Sequence, residues 1–210
     1  MGLAVANYHD DYGAFPPAVV RDEQGQPIHS WRALLLPYLE QMPLYEEYDF
    51  QAPWNGPHNC QLLARWPAVY AFTDGGEGTA TVTNYLAVLG DQTVWRHGEP
   101  VTLPQVVDGH DTPILVVENM GSDIQWTKPD DLELDTMNLE IAAVSSNGIS
   151  SPYDPPAVVT VAGRIQTLSP SIHPDTLRAL VTASGGEALP SGLPWRSITD
   201  GRVRPLKPER

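Results

Sequence analysis

The stretch Met1-Gly-Leu-Ala-Val-Ala-Asn-Tyr-His-Asp-Asp-Tyr-Gly-Ala-Phe-Pro-Pro17 constrains the fold more than any other part of the chain. Leu3, Val5, Ala6 and Tyr8 supply apolar faces, and Asn7, His9, Asp10 and Asp11 are polar. Gly13 suits the left-handed residue that ends a helix, and Pro16-Pro17 forbid continuation. Residues 1–12 are therefore predicted as one helix, about 18 Å long. A helix that short is marginal alone in water. It must pack on a body or continue a helix whose front is missing.

Proline (21) and glycine (17) are frequent enough to favour a loop-rich β or α+β body over a helical bundle. Residues 16–30 read as an extended loop with a turn at Gln24-Gly25-Gln26-Pro27. Ser30 is a good N-cap, and Trp31, Leu34, Leu35, Tyr38, Leu39 and Met42 follow helical spacing, interrupted at Pro37 and again at Pro43. Residues 57–66 suggest a short helix opened by Pro57. Strands are predicted at Val69–Phe72, Thr79–Leu89, Thr93–Arg96 and Leu139–Val144, with a central one over Pro113–Glu118. Asp74-Gly-Gly-Glu-Gly78 and Ser145–Pro156 read as loops. Val158–Val161 and Arg164–Leu168 flank Ala162-Gly163 as a hairpin. Pro174–Ala183 reads as a helix capped by Gly185-Gly186, and residues 190–210 as a tail. A helix first, strands later and no βαβ alternation give an α+β fold with a mostly antiparallel sheet.

The opening block resembles the DUF1559 family of pilin-like bacterial proteins, abundant in planctomycetes. The likeness continues through Ser30-Trp-Arg-Ala-Leu-Leu-Leu-Pro-Tyr-Leu-Glu-Gln41, Pro53-Trp-Asn55, Thr83-Asn-Tyr-Leu-Ala-Val88, Ile114-Leu-Val-Val-Glu118, Trp126-Thr-Lys-Pro-Asp-Asp-Leu132 and Thr176-Leu-Arg-Ala-Leu180. The family often carries a Cys-Pro pair after the strand that here reads Val69-Tyr-Ala-Phe72, and an Ala-Asp-Gly turn where this chain has Val161-Ala-Gly163; both are missing. The resemblance implies a pilin-like α+β domain over residues 1–189, in which the N-terminal helix packs on the sheet. It also implies an upstream hydrophobic helix, and hence anchoring in the cell envelope.

A formal charge of −14 and a pI near 4.6 repel phosphate backbones, so nucleic acid is excluded as a partner. The same field opposes anionic lipid. Contact with a membrane is expected only through the absent upstream helix. Like subunits, or other pilin-like proteins, are the partners that such a helix implies.

No catalytic motif stands out. His9, Asp10 and Asp11 are adjacent on a helix and point about 100° apart, so they do not converge. His58-Asn59-Cys60 lacks a nucleophile context. No zinc spacing, Walker loop or nucleophile elbow occurs. Calcium is the one metal retained as a candidate, on Asp130, Asp131, Glu133 and Asp135, although the spacing is not that of an EF-hand and a solvated acidic run is the favoured reading. Tyr8, His9, Trp31 and Trp54 are the candidates for partner or ligand contact. The six tryptophans are expected mainly as core and loop anchors.

Two functions follow as expectations. The first is a non-enzymatic, pilin-like or pseudopilin-like structural protein of the cell envelope, with a role in assembly, adhesion or secretion. The alternative is an extracytoplasmic solute- or glycan-binding module. The second predicts a concave pocket with a few convergent polar groups; the first predicts a flat or convex body.

Overall fold

Gly13 stops the first helix as the sequence requires. Helix α1 spans Gly2–Tyr12, and Gly13 takes φ 74° with its N–H on the His9 carbonyl. The fold is a computed structural model that describes residues 1–72, 81–142, 144–187 and 195, and the backbone of residues 196 and 204–205. The Asp74–Gly78 loop, Ala143 and most of the 190–210 tail lie outside the described residues.

The loop predicted after α1 is instead a hairpin, β1 (Val19–Arg21) with β2 (Pro27–Ser30). Its turn falls where the sequence places it: the Asp22 carboxylate accepts from the N–H groups of Gln24 and Gln26, and Gly25 takes φ 78°. Ser30 then caps α2 (Trp31–Leu34) by accepting from the Arg32 N–H. The helical pattern splits at Pro37 into a 3-10 turn, Leu36–Leu39, followed by α3 (Met42–Glu47). Pro43 sits in the first turn of α3, where its missing N–H is not needed, so it opens a helix and does not break one. Pro57 does the same for α4 (Pro57–Leu62).

Where the residues predict a strand at Val69–Phe72, the chain forms a 3-10 turn, Ala68–Tyr70, and the buried Tyr70 hydroxyl donates to the Arg32 carbonyl at 2.7 Å. Strands β3 (Tyr85–Leu86), β4 (Val88–Leu89) and β5 (Ile114–Glu118) follow. So the long strand predicted from Thr79 is two short ones in its described part. Thr93–Arg96 makes only single bridges, because the Thr93 hydroxyl bonds the Gly90 and Trp95 carbonyls of its own loop. The later strands are β6 (Leu132–Glu133), β7 (Asn138–Ala142), β8 (Gly148–Ser150), β9 (Tyr153–Asp154), β10 (Ala157–Thr160) and β11 (Ile165–Leu168). Two of these, β8 and β9, lie in the Ser145–Pro156 segment predicted as loop. Helix α5 (Pro174–Val181) precedes β12 (Trp195–Arg196) and β13 (Arg204–Pro205).

The main sheet runs β12-β11-β10-β5-β3, every pair antiparallel. Two small pairs, β4 with β6 and β7 with β8, are parallel. The chain is thus α+β with antiparallel sheets and a few short helices. The described tail pieces add an edge strand beside β11 and a partner for β9. Gly185-Gly186 does not cap α5, whose C-cap is the extended Thr182; the two glycine N–H groups instead donate to the Asp108 carboxylate at 2.9 and 3.2 Å.

Strand β5 is apolar throughout Ile114–Val117 because it serves two cores. Leu115 and Val116 join Val5, Trp31 and Trp95 beneath α1. Ile114 and Val117 join Leu168 and the Leu177 and Leu180 face of α5. A third cluster fills the space among α2, α3 and α4 around Leu36, Leu44, Leu62, Tyr70 and Trp126.

Candidate functional site: a groove beside the first helix

The first turn of α1 lies against the β10–β11 hairpin at van der Waals limits. A Cβ on Gly2 would fall 2.8 Å from Val159 Cγ1 and 2.9 Å from the Gly163 carbonyl. Only glycine permits that approach at position 2, and Gly163 itself turns the hairpin at φ 74°. Beside this contact the sheet face is left open. A groove of about 420 Å³ runs along it, lined by Met1, Leu3, Val116, Val159 and Ile165, with Tyr85 and Glu118 as its polar side chains. Leu3 and Ile165, at 72% and 60% exposure, leave apolar surface open to solvent.

Glu118 ends β5 and is only 5% exposed. Its Oε2 accepts from the Ala157 N–H at 2.8 Å, and the Ser151 hydroxyl supports the carboxylate as well. Among the described side chains, which do not include those of Arg196 and Arg204, no cationic group lies within ion-pair distance of it. Burial pushes the Glu118 carboxyl above its ordinary range, and the two hydrogen bonds pull it back. The Tyr85 phenol is pushed up to about 12, first by burial and then by the charges of Glu118 and Tyr153.

The backbone of Tyr85 is held from behind. Arg32 donates to the Tyr85 carbonyl through Nε at 3.2 Å and Nη2 at 3.0 Å. Its Nη2 also meets Asp131 Oδ1 in an ion pair whose two side chains are fully buried. Asp131 further accepts from the Ala87 N–H at 2.7 Å and from the Trp31 indole at 3.1 Å. Burial pushes the Asp131 carboxyl up to about 6 against the pull of Arg32 and these donors. The Arg32 guanidinium also lies 4.6 Å from the centre of the Trp31 ring. This cluster ties α2, β3, β4 and the segment before β6 together, and so fixes one wall of the groove.

Residues 1–73 match the model of a family described as a protein of unknown function, DUF1559. Over that first part the chain is similar to DUF1559 proteins. No curated protein and no solved structure matches it significantly.

The residues singled out from the sequence do not gather at the groove. Tyr8 stacks on Tyr12 at 4.4 Å and meets Tyr38 edge-on. His9 Nε2 accepts from the Leu103 N–H at 3.3 Å, and its ring sits 5.0 Å from Phe15. Trp31 is core, and so are Trp95 and Trp126. Trp54 is half-buried, its N–H donating to the Ile28 carbonyl. The calcium candidates are dispersed. Asp131 is consumed by Arg32, Asp130 pairs with Lys128 at 2.7 Å, Glu133 pairs with His97 at 3.0 Å, and Asp135 is exposed. Among the described residues no three acidic, histidine or cysteine side chains could share a metal. Cys60 is exposed, its thiol on the Asn55 carbonyl, and His58 Nε2 bonds the Glu47 carbonyl.

Glu118 and Tyr85 are the residues that sequence reasoning passed over. The available signal was a carboxylate closing an unbroken apolar strand, where an aliphatic residue is the simpler choice. Likewise, Arg32 between Trp31 and Ala33 and Asp131 before Leu132 are charges set in apolar context.

Proposed function

We propose that this chain is the water-facing body of a non-enzymatic, pilin-like cell-envelope protein with a role in assembly, adhesion or secretion. The seat of α1 supports this reading. Gly2, Ala4 and Val5 are buried against the body, while Leu3 on the same turn is exposed. A stem helix continuous with α1 would bury that remaining apolar surface among like helices or in lipid. Among the described residues no helix is long and apolar enough to cross a membrane, so any anchor lies in an added segment. Fractionation of cells making the native gene product tests the reading. The protein is expected in the envelope fraction, with a Leu3→Cys variant forming copy-to-copy crosslinks. Recovery in the cytosol without crosslinks would contradict it.

One observation favours the alternative, an extracytoplasmic solute-binding module: the body is concave beside α1, and the groove carries a buried carboxylate in an apolar wall. Its volume falls in the range of small-molecule sites. The groove departs from the flat or convex body expected of the structural reading, and an anchored body that also holds a solute accommodates it.

A further inference from the structure

We infer that the groove between α1 and the sheet binds a small organic amine, its ammonium on Glu118 and its apolar body along Val116, Val159 and Ile165. The inference rests on the solute-binding reading and goes beyond it by naming the ligand chemistry. Three observations carry it. The groove wall is aliphatic, so it holds a hydrocarbon body without selecting for polar decoration. The polar exception, Glu118, is 5% exposed and has hydrogen-bond donors but no counter-charge among the described side chains. A buried carboxylate without a cation is unusual, because buried charges are ordinarily paired. Finally, the chain carries 26 acidic against 12 basic residues, a field that concentrates cations and repels anions.

The Tyr85 ring completes the polar end. An aromatic face near a carboxylate is a common cradle for ammonium groups, which it attracts through its quadrupole. The Arg32–Asp131 cluster holds the Tyr85 carbonyl, so the backbone that carries the ring is fixed before any ligand arrives.

The test compares hexylamine, 1-hexanol and hexanoate on the 210-residue chain by NMR titration, with backbone signals of Tyr85, Val116, Glu118 and Val159 as the readout. Hexylamine is expected to bind at least tenfold more tightly than hexanol, and hexanoate more weakly than either. Glu118→Gln keeps an acceptor for the Ala157 N–H, and it should erase the amine preference while leaving hexanol unchanged. Ile165→Trp, placed at the exposed mouth, should weaken every probe without altering the fold. Equal binding of all three probes would leave a binding groove and overturn the amine assignment. If no probe perturbs the groove signals, both the site and the assignment fall. Survival of the preference in Glu118→Gln would also overturn it.

Discussion

Asp131 and Glu118 are both carboxylates inside the body, and burial pushes both upward. Their surroundings differ in one respect. Asp131 has a guanidinium against it and is saturated by three donor groups, Arg32, Trp31 and the Ala87 N–H. Glu118 has two donors, no cation among the described side chains, and an open groove in front of it. Desolvation alone does not mark a functional site. What distinguishes the two is whether the protein itself completes the charge. Asp131 is internal structure, although the sequence offered it as a metal ligand. Glu118 went unremarked in the sequence, yet it faces the space where a ligand fits.

The largest expected effect tests the closed side of this contrast. Asp131→Ala leaves Arg32 as an uncompensated buried charge and should destabilise the chain by about 3–5 kcal/mol, read from the urea midpoint. Replacing the pair together, as Arg32→Met with Asp131→Leu, should be less damaging than Asp131→Ala alone. A single variant milder than the double would mean that the pair is not the anchor of the groove wall.

Gly2→Ala comes next. The added methyl meets Val159 and Gly163 below 3 Å, and overpacking of this kind costs about 1–3 kcal/mol. Fraying of the first turn can release part of it, so hydrogen exchange at Val5 and Ala6 is the sharper readout, and it should accelerate. Unchanged exchange would show that α1 is not pinned by the glycine contact.

His29, in the hairpin strand that leads into α2, provides a separate test by titration. Its Nε2 faces the Phe50 carbonyl, which can only accept, so Nε2 carries the proton and Nδ1 accepts from the Tyr48 hydroxyl. Burial lowers the imidazole pKa below its ordinary 6.5. Because the unfolded state then binds more protons, the stability linked to His29 is complete above about pH 6.5 and is lost as pH falls toward the folded-state value. Thermal melts of the chain and of His29→Gln should therefore converge on acidification below pH 6.5. Parallel curves would refute the assignment. The smallest effect belongs to the open side: Ile165→Asp, at an exposed position, should shift stability by no more than about 0.5 kcal/mol.

Much of the fold was legible because local chemistry decided it. Gly13, Ser30, Pro37, Pro57 and the Ala162-Gly163 turn each act through their own backbone, and each ends, caps, splits or turns the chain as read. The misses required tertiary information. Val69–Phe72 has strand composition, but Tyr70 is drawn inward by the Arg32 carbonyl into a 3-10 turn. Val19–Arg21 gains strand structure only by pairing with Pro27–Ser30. Of the site, neither Glu118 nor Tyr85 could be placed, because their meeting depends on the register of β3 beside β5, where Tyr85 opposes Glu118. The acidic run at Asp130–Asp135 misled for the same reason: its central carboxylate points at an arginine that lies in α2, far away in sequence.

The most direct measurement is a ¹³C NMR titration of the side-chain carboxyls with hexylamine. Saturable movement of the Glu118 carboxyl resonance, with Asp131 unmoved and surface carboxylates such as Asp10 and Glu99 shifting only linearly and slightly, is the predicted result. A Glu118 resonance that stays still, or that moves no more than those of the surface carboxylates, would contradict the account.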